Sequence, residues 1–206
     1  MEKARRVLDY YLVCCKLKDT IRTGWKKWGV KRERLESVAE HIYATQMLAL
    51  AIYSEYHYDI DIMKVIFMLA IHELGETQIG DFTPFDITRA EKERIEREAV
   101  RKVLAGLEMG DEFYEYFLEF DEKKTPEAIF AYQCDKLEAE LQCRRYDLEK
   151  CVDLSNLSKN EVTKNKLVQE LLQRTSSWSE AFAIYDRKIV EFDKNFLKIS
   201  DCNINN

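Results

Sequence analysis

Three histidines occur in the chain, His41, His57 and His72. Two of them sit among acids in a way that could hold a metal ion. His72 continues the series Ile62, Val65, Leu69, whose helical spacing gives an apolar, inward face. Glu76 follows four residues later on that face, and Glu73 is the next residue in the chain. One helix end would then present an imidazole and two carboxylates at the edge of a core. His41 falls in the first turns of another helix, on the side of Val38 and Thr45. Asp135 lies on the line Ala128, Tyr132, Asp135, Ala139, which otherwise reads as buried. A buried carboxylate needs a metal or a cation as partner. Each of these residues also has an ordinary reading, as a packed core histidine or an aspartate paired with lysine. His57, in Tyr56-His57-Tyr58, reads as a surface or interface residue.

The elements that must carry these residues are helices. Only two prolines and six glycines interrupt the chain, and Leu, Glu, Lys and Ala are abundant. Ser37-Val38-Ala39-Glu40 is a capping box that opens a helix to about Tyr56. Thr88-Arg89-Ala90-Glu91 opens another through Leu107, with Ile95, Ala99, Val103 and Leu107 along one stripe. Ser158-Lys159-Asn160-Glu161 opens a third to about Arg174. Thr125-Pro126 offers an N-cap followed by proline at the first helical position, and predicts a helix to about Tyr146. Asp61 to Gly75 reads as one helix ended by its glycine. The N-terminal stretch to Asp19 and the stretch from Trp178 to Ile199 complete the set, with a frayed tail after Ser200. The segment from Gly80 to Ile87 reads as a loop. The expectation is an all-α, single-domain bundle of seven or more helices over residues 1–206.

Composition narrows the function classes. With 46% apolar residues and 12% aromatics the chain can bury a core. A net charge of −6 argues against a broad nucleic-acid footprint, which needs a basic face. It leaves room for a small anion gripped by a few arginines. No apolar run approaches the ~18 residues of a membrane span, and the N-terminal residues do not read as a secretory signal. The six cysteines include no CxxC pair, so neither a zinc finger nor a dithiol motif is supported. Reduced thiols in a cytoplasm are the expectation.

Four motifs in order add a resemblance. Glu36-Ser37-Val38-Ala39-Glu40-His41, Ile71-His72-Glu73-Leu74-Gly75-Glu76, Ile79-Gly80-Asp81 and Cys134-Asp135-Lys136-Leu137-Glu138-Ala139 resemble the HD-domain superfamily. They are similar to its 5'-deoxynucleotidase (YfbR-like) branch of metal-dependent phosphohydrolases. Arg22-Thr23-Gly24-Trp25 upstream is similar too, and the likeness covers roughly residues 15–150. The resemblance implies an all-α fold that holds one divalent transition metal (Mn, Co, Fe, Zn or Ni) through His41, His72, Glu73 and Asp135. It implies that Glu76 donates or accepts a proton, that Asp81 lies near the sugar, and that Arg22 grips the phosphate. Trp25 would stack near the base. Only two motif histidines are present, which favours a mononuclear centre. The implied substrate is a small nucleotide, and the implied assembly is a homodimer.

One position departs from the family pattern. The resemblance leads to His-Asp, and the chain has His72-Glu73. The extra methylene carries the carboxylate more than about 1 Å further from the backbone. Glutamate remains an oxygen ligand. Three other readings stay open: a nucleoside di- or triphosphate hydrolase of the same superfamily, a metal- or nucleotide-binding protein with weakened catalysis, and a structural helical adaptor.

Overall fold

The computed structural model describes every residue except Pro84, Phe85, Ser158, Asn160, Glu161 and Asn206. Among the described residues the fold is all-α, with one isolated bridge between Ile21 and Ser37. In chain order the helices are α1 (Glu2–Cys14), α2 (Thr23–Lys27), α3 (Val38–Tyr56) and α4 (Ile62–Ile71). There follow α5 (Glu76–Ile79), α6 (Arg89–Leu104), α7 (Gly110–Glu122) and α8 (Pro126–Leu148). The last three are α9 (Lys166–Arg174), α10 (Trp178–Asp186) and α11 (Lys194–Asn205). The chain falls into two compact units, Met1–Thr23 with Glu36–Tyr132, and Gly24–Leu35 with Gln133–Asn206.

The first unit carries the pieces of interest. α3 begins as its sequence dictates. The Ser37 hydroxyl accepts from the Glu40 amide, and the Glu40 carboxylate accepts from the Ser37 amide at 2.9 Å. Such a cap stabilises a helix by about 1 kcal/mol. Val38, His41, Thr45, Ala49 and Ile52 then form its buried face. Asp61 caps α4 through the amides of Met63 and Lys64. α4 stops at Ile71, so His72 and Glu73 lie in a turn and not in the helix expected to reach Gly75. Gly75 does not end that helix. It is the N-cap of the short α5.

Close packing explains this glycine. A Cβ on Gly75 would come 2.9 Å from Glu96 Cγ and 3.3 Å from both the Glu96 carbonyl oxygen and Val100 Cγ2. α5 therefore lies directly on α6. α6 starts at the expected N-cap, with the Thr88 hydroxyl accepting from the Glu91 amide at 3.3 Å. The Glu91 carboxylate pairs with Arg94, and the helix ends at Leu104, short of the expected Leu107. α7 was not foreseen as a helix. Its aromatic run packs inward: Phe117 is buried with Ile71, Leu74, Val100 and Leu104, and Phe113, Tyr114 and Tyr116 lie against that cluster.

The second unit is built on aromatics. Trp25 and Trp28 pack against Trp178 and Phe182, and Trp25 also meets Tyr146 edge-on at 5.4 Å between centroids. α8 starts in the first unit at Pro126 as expected, with the Thr125 hydroxyl accepting from the Ala128 amide, and its residues from Gln133 on belong to the second. The capping box expected at Ser158 to Glu161 lies outside the described residues, and α9 begins at an Asn165 cap. The C-terminal stretch is two helices, broken between Asp186 and Lys194. The tail expected to fray instead continues α11 to Asn205, because Phe196 and Ser200 are fully buried. All six cysteines are free.

Candidate functional site

In the first unit, His41, His72 and Glu73 converge. His41 is fully buried and His72 is 3% exposed. Their rings lie 5.5 Å apart between centroids. One donor atom from each of His41, His72 and Glu73 falls within 4.8 Å of the others. The His72 Nδ1–H donates to the Leu69 carbonyl at 2.8 Å. A carbonyl can only accept, so the neutral ring keeps its lone pair on Nε2, which lies 3.8 Å from Glu73 Oε1. A backbone carbonyl in this position is the usual way a metal-binding imidazole is oriented.

Arg22 approaches from the segment before α3. Its amide donates to the Glu36 carbonyl at 3.0 Å, and the Val38 amide donates to the Thr20 carbonyl at 2.8 Å. These bonds flank the Ile21–Ser37 bridge and lay the arginine beside the start of α3. The Arg22 guanidinium then donates to Glu73 Oε1 at 3.1 Å. Burial opposes its charge, but the carboxylates of Asp81, Glu73, Glu76 and Glu36 outweigh it and hold its pKa above the ordinary value. Asp81 follows Gly80, whose φ of +78° turns the chain out of α5 in the left-handed region glycine tolerates. The Asp81 carboxylate accepts from the Thr23 amide.

Glu76 opens α5 and is 2% exposed. Burial pushes its carboxyl well above the usual carboxylate range, Glu73 and Asp81 push further, and Lys92 and Arg22 oppose them. Lys92, on α6, lies 3.6 Å from Glu76 Oε1. Neither Glu76 oxygen receives a hydrogen bond among the described residues.

A protein-family model for the HD domain matches residues 14–176. The chain belongs to the HD-domain family. The 5'-deoxynucleotidase HDDC2 of Dictyostelium discoideum is 38% identical over 148 residues, 68% of this chain and 77% of that protein. The 5'-deoxynucleotidase hdd1 of Schizosaccharomyces pombe is 28% identical over 192 residues, 86% of this chain and 94% of its own. A crystal structure of a Pyrococcus horikoshii protein matches with a TM-score of 0.62 at 25% identity, over 88% of this chain and 97% of that one.

The donors of this HD domain suit a divalent metal. Two imidazoles and a carboxylate form a mixed nitrogen and oxygen set, and several acids crowd Arg22. An ion there would relieve that excess of negative charge. Of the other residues singled out in the sequence, Asp135 belongs to the second unit. It is 5% exposed on α8 and pairs with Lys136 Nζ at 2.9 Å. Trp25 also belongs to the second unit, where it is 4% exposed within the aromatic cluster. His57 caps the C-terminus of α3 at φ +49° and is exposed. Sequence reasoning passed over Lys92. The signal was present: Lys92 extends the Ile95, Ala99, Val103 stripe by one turn, placing a cation at the end of a line otherwise read as apolar.

Proposed function

We propose that this HD domain is a metal-dependent phosphohydrolase that releases phosphate from nucleoside 5'-monophosphates, with deoxyribonucleotides as the leading class. The observation that carries the reading is the convergence of His41, His72 and Glu73 beside the Arg22 guanidinium. The names of the Dictyostelium and fission-yeast relatives support the substrate class. The metal is held by His41, His72 and Glu73, with Asp135 as the fourth ligand on the strength of the family's motif order. A bound divalent ion supplies Lewis acidity at the phosphate and lowers the pKa of a coordinated water.

The chain's own residues do the rest. Arg22 pairs with the phosphate oxygens and offsets their charge. Glu76 holds or passes the proton that the leaving sugar oxygen needs. Asp81, fixed by the Thr23 amide, accepts from a sugar hydroxyl and so bears on the choice between ribose and deoxyribose. Trp25 is retained as a residue near the base on the resemblance alone. The family match spans residues 14–176, which favours one HD-type domain over the whole chain. A homodimer is the assembly the reading carries, to be checked by light scattering. No described helix is long and apolar enough to cross a membrane, and a cytoplasmic location belongs to the same proposal.

Elemental analysis of the purified protein, paired with phosphate release from a panel of ribo- and deoxyribonucleoside monophosphates under several metals, tests the reading. Absence of both metal and turnover would sink it. One observation favours a second reading, a binder with weakened catalysis: the Glu73 carboxylate is already engaged by Arg22. On the main reading Glu73→Asp keeps the metal and stays within about tenfold of the wild-type rate, since the oxygen donor is retained. A wild type that binds nucleotide without turnover, and gains it with Glu73→Asp, establishes the second.

A further inference from the structure

The Glu76 side chain is wholly enclosed, and among the described residues nothing donates a hydrogen bond to it. A buried carboxyl in that condition has no hydrogen bond to fix it, so beyond packing its aim depends on where the positive charges stand. Arg22 is one such charge, but four carboxylates act on it, and the proposed reaction draws it to the phosphate. Lys92 is the other. Its ammonium lies 3.6 Å from Glu76 Oε1, at the end of a side chain that is 27% exposed.

The packing that brings Lys92 there is specific. Lys92, Glu96 and Val100 follow at four-residue steps along one face of α6. That face meets α5 at Gly75, where a Cβ would strike Glu96 and Val100. The glycine sets the distance between the helices, and that distance lets the lysine reach the acid next to it.

We propose that Lys92 is a positioning residue for the phosphohydrolase reaction: it holds the Glu76 carboxylate in the pose from which it serves the leaving oxygen. The proposal rests on the nucleotidase reading of this site. It differs from a simple tie between α5 and α6, because its effect must pass through Glu76.

The test is a double-mutant cycle on the full chain with one metal and one monophosphate fixed throughout. It compares wild type, Lys92→Met, Lys92→Arg, Glu76→Gln, and Lys92→Met combined with Glu76→Gln, by kcat, KM and melting temperature. Lys92→Met should lower kcat about 10- to 100-fold with KM within about twofold, as expected when a proton-handling group is misplaced. Lys92→Arg should restore most of that loss. In the Glu76→Gln background, Lys92→Met should change the residual kcat by less than about twofold. An unchanged kcat in Lys92→Met overturns the proposal. So does an equal loss in the Glu76→Gln background, or a fall in melting temperature with no rescue of kcat by arginine. A wild type without turnover overturns the nucleotidase reading instead. The melting temperatures then decide the pairing: a drop from Lys92→Met that vanishes beside Glu76→Gln supports the hold on Glu76, and an equal drop in both backgrounds overturns it.

Discussion

Each unit buries carboxylates around an arginine, and the two handle the charge in opposite ways. In the second unit Glu140 is 1% exposed on α8 and accepts from the Ser200 hydroxyl of α11. Arg187 donates to Ser200 and to Asp201, both at 2.7 Å. Burial raises Glu140 to about 8, so near neutral pH it carries its proton and leaves Arg187 to Asp201. The cluster fastens α11 through these hydrogen bonds, with Glu140 neutral beside the Arg187–Asp201 pair. In the first unit Asp81, Glu73, Glu76 and Glu36 all act on Arg22, with Lys92 as a further cation at Glu76. That surplus of acids is costly in a fold that needs only stability. It is what a site that receives a dication requires. Two buried acid clusters in one chain thus separate by their charge balance into a fastener and a reaction site.

The comparison breaks most severely at His72. His72→Ala should reduce bound metal from about one equivalent to near zero and phosphatase activity by at least about a thousandfold, because the Lewis acid is gone. Full metal content in this variant would show that the ion is held elsewhere. Next comes Arg22→Ala. It should lower kcat/KM about 100-fold, much of it through KM, as a charged contact to phosphate is lost. Arg22→Lys should recover little, since an ammonium cannot make the paired contact. If lysine restores the rate, Arg22 acts only as a charge. Neither substitution should touch the α11 fastening, so Arg187 and Ser200 serve as internal controls.

Much of this was legible in the sequence where the signal was local. The caps at Ser37, Thr88 and Thr125 start helices because side chain and amide are three or fewer residues apart. The burial of His41 with Val38 and Thr45 followed from helical spacing. What the sequence hid depends on partners distant along the chain. α4 ends at Ile71 and not at Gly75, and the role of Gly75 is visible only against Glu96 and Val100. His72 and Glu76 were assigned to one helical face, yet a turn separates them and they reach the site from different elements. Lys92 draws no reading from the sequence, because its reach to Glu76 depends on α5 lying against α6. The C-terminal residues read as a frayed end because the buried acid that holds Ser200 sits 60 residues upstream.

The smallest effect belongs to the fastener, and its sign follows from linkage. The folded-state value of Glu140, about 8, lies above the ordinary 4.5. The folded protein therefore binds a proton that the unfolded chain has already released across that interval. Stability from this group is full below about 4.5 and is lost as pH rises towards 8. Asp186, raised to about 6 from 3.8 by burial, adds a drop at lower pH. The melting temperature should accordingly fall between about pH 4.5 and about 8. Glu140→Gln cannot ionise and should remove this group's share of that slope, the raised Glu76 carboxyl keeping its own, while kcat/KM at a fixed pH stays within about twofold of wild type, because Glu140 is bonded to Ser200 and takes no part in the proposed reaction. A slope unchanged by Glu140→Gln would place the charge of the second unit elsewhere. A loss of activity matching that of Arg22→Ala would erase the distinction between the two clusters.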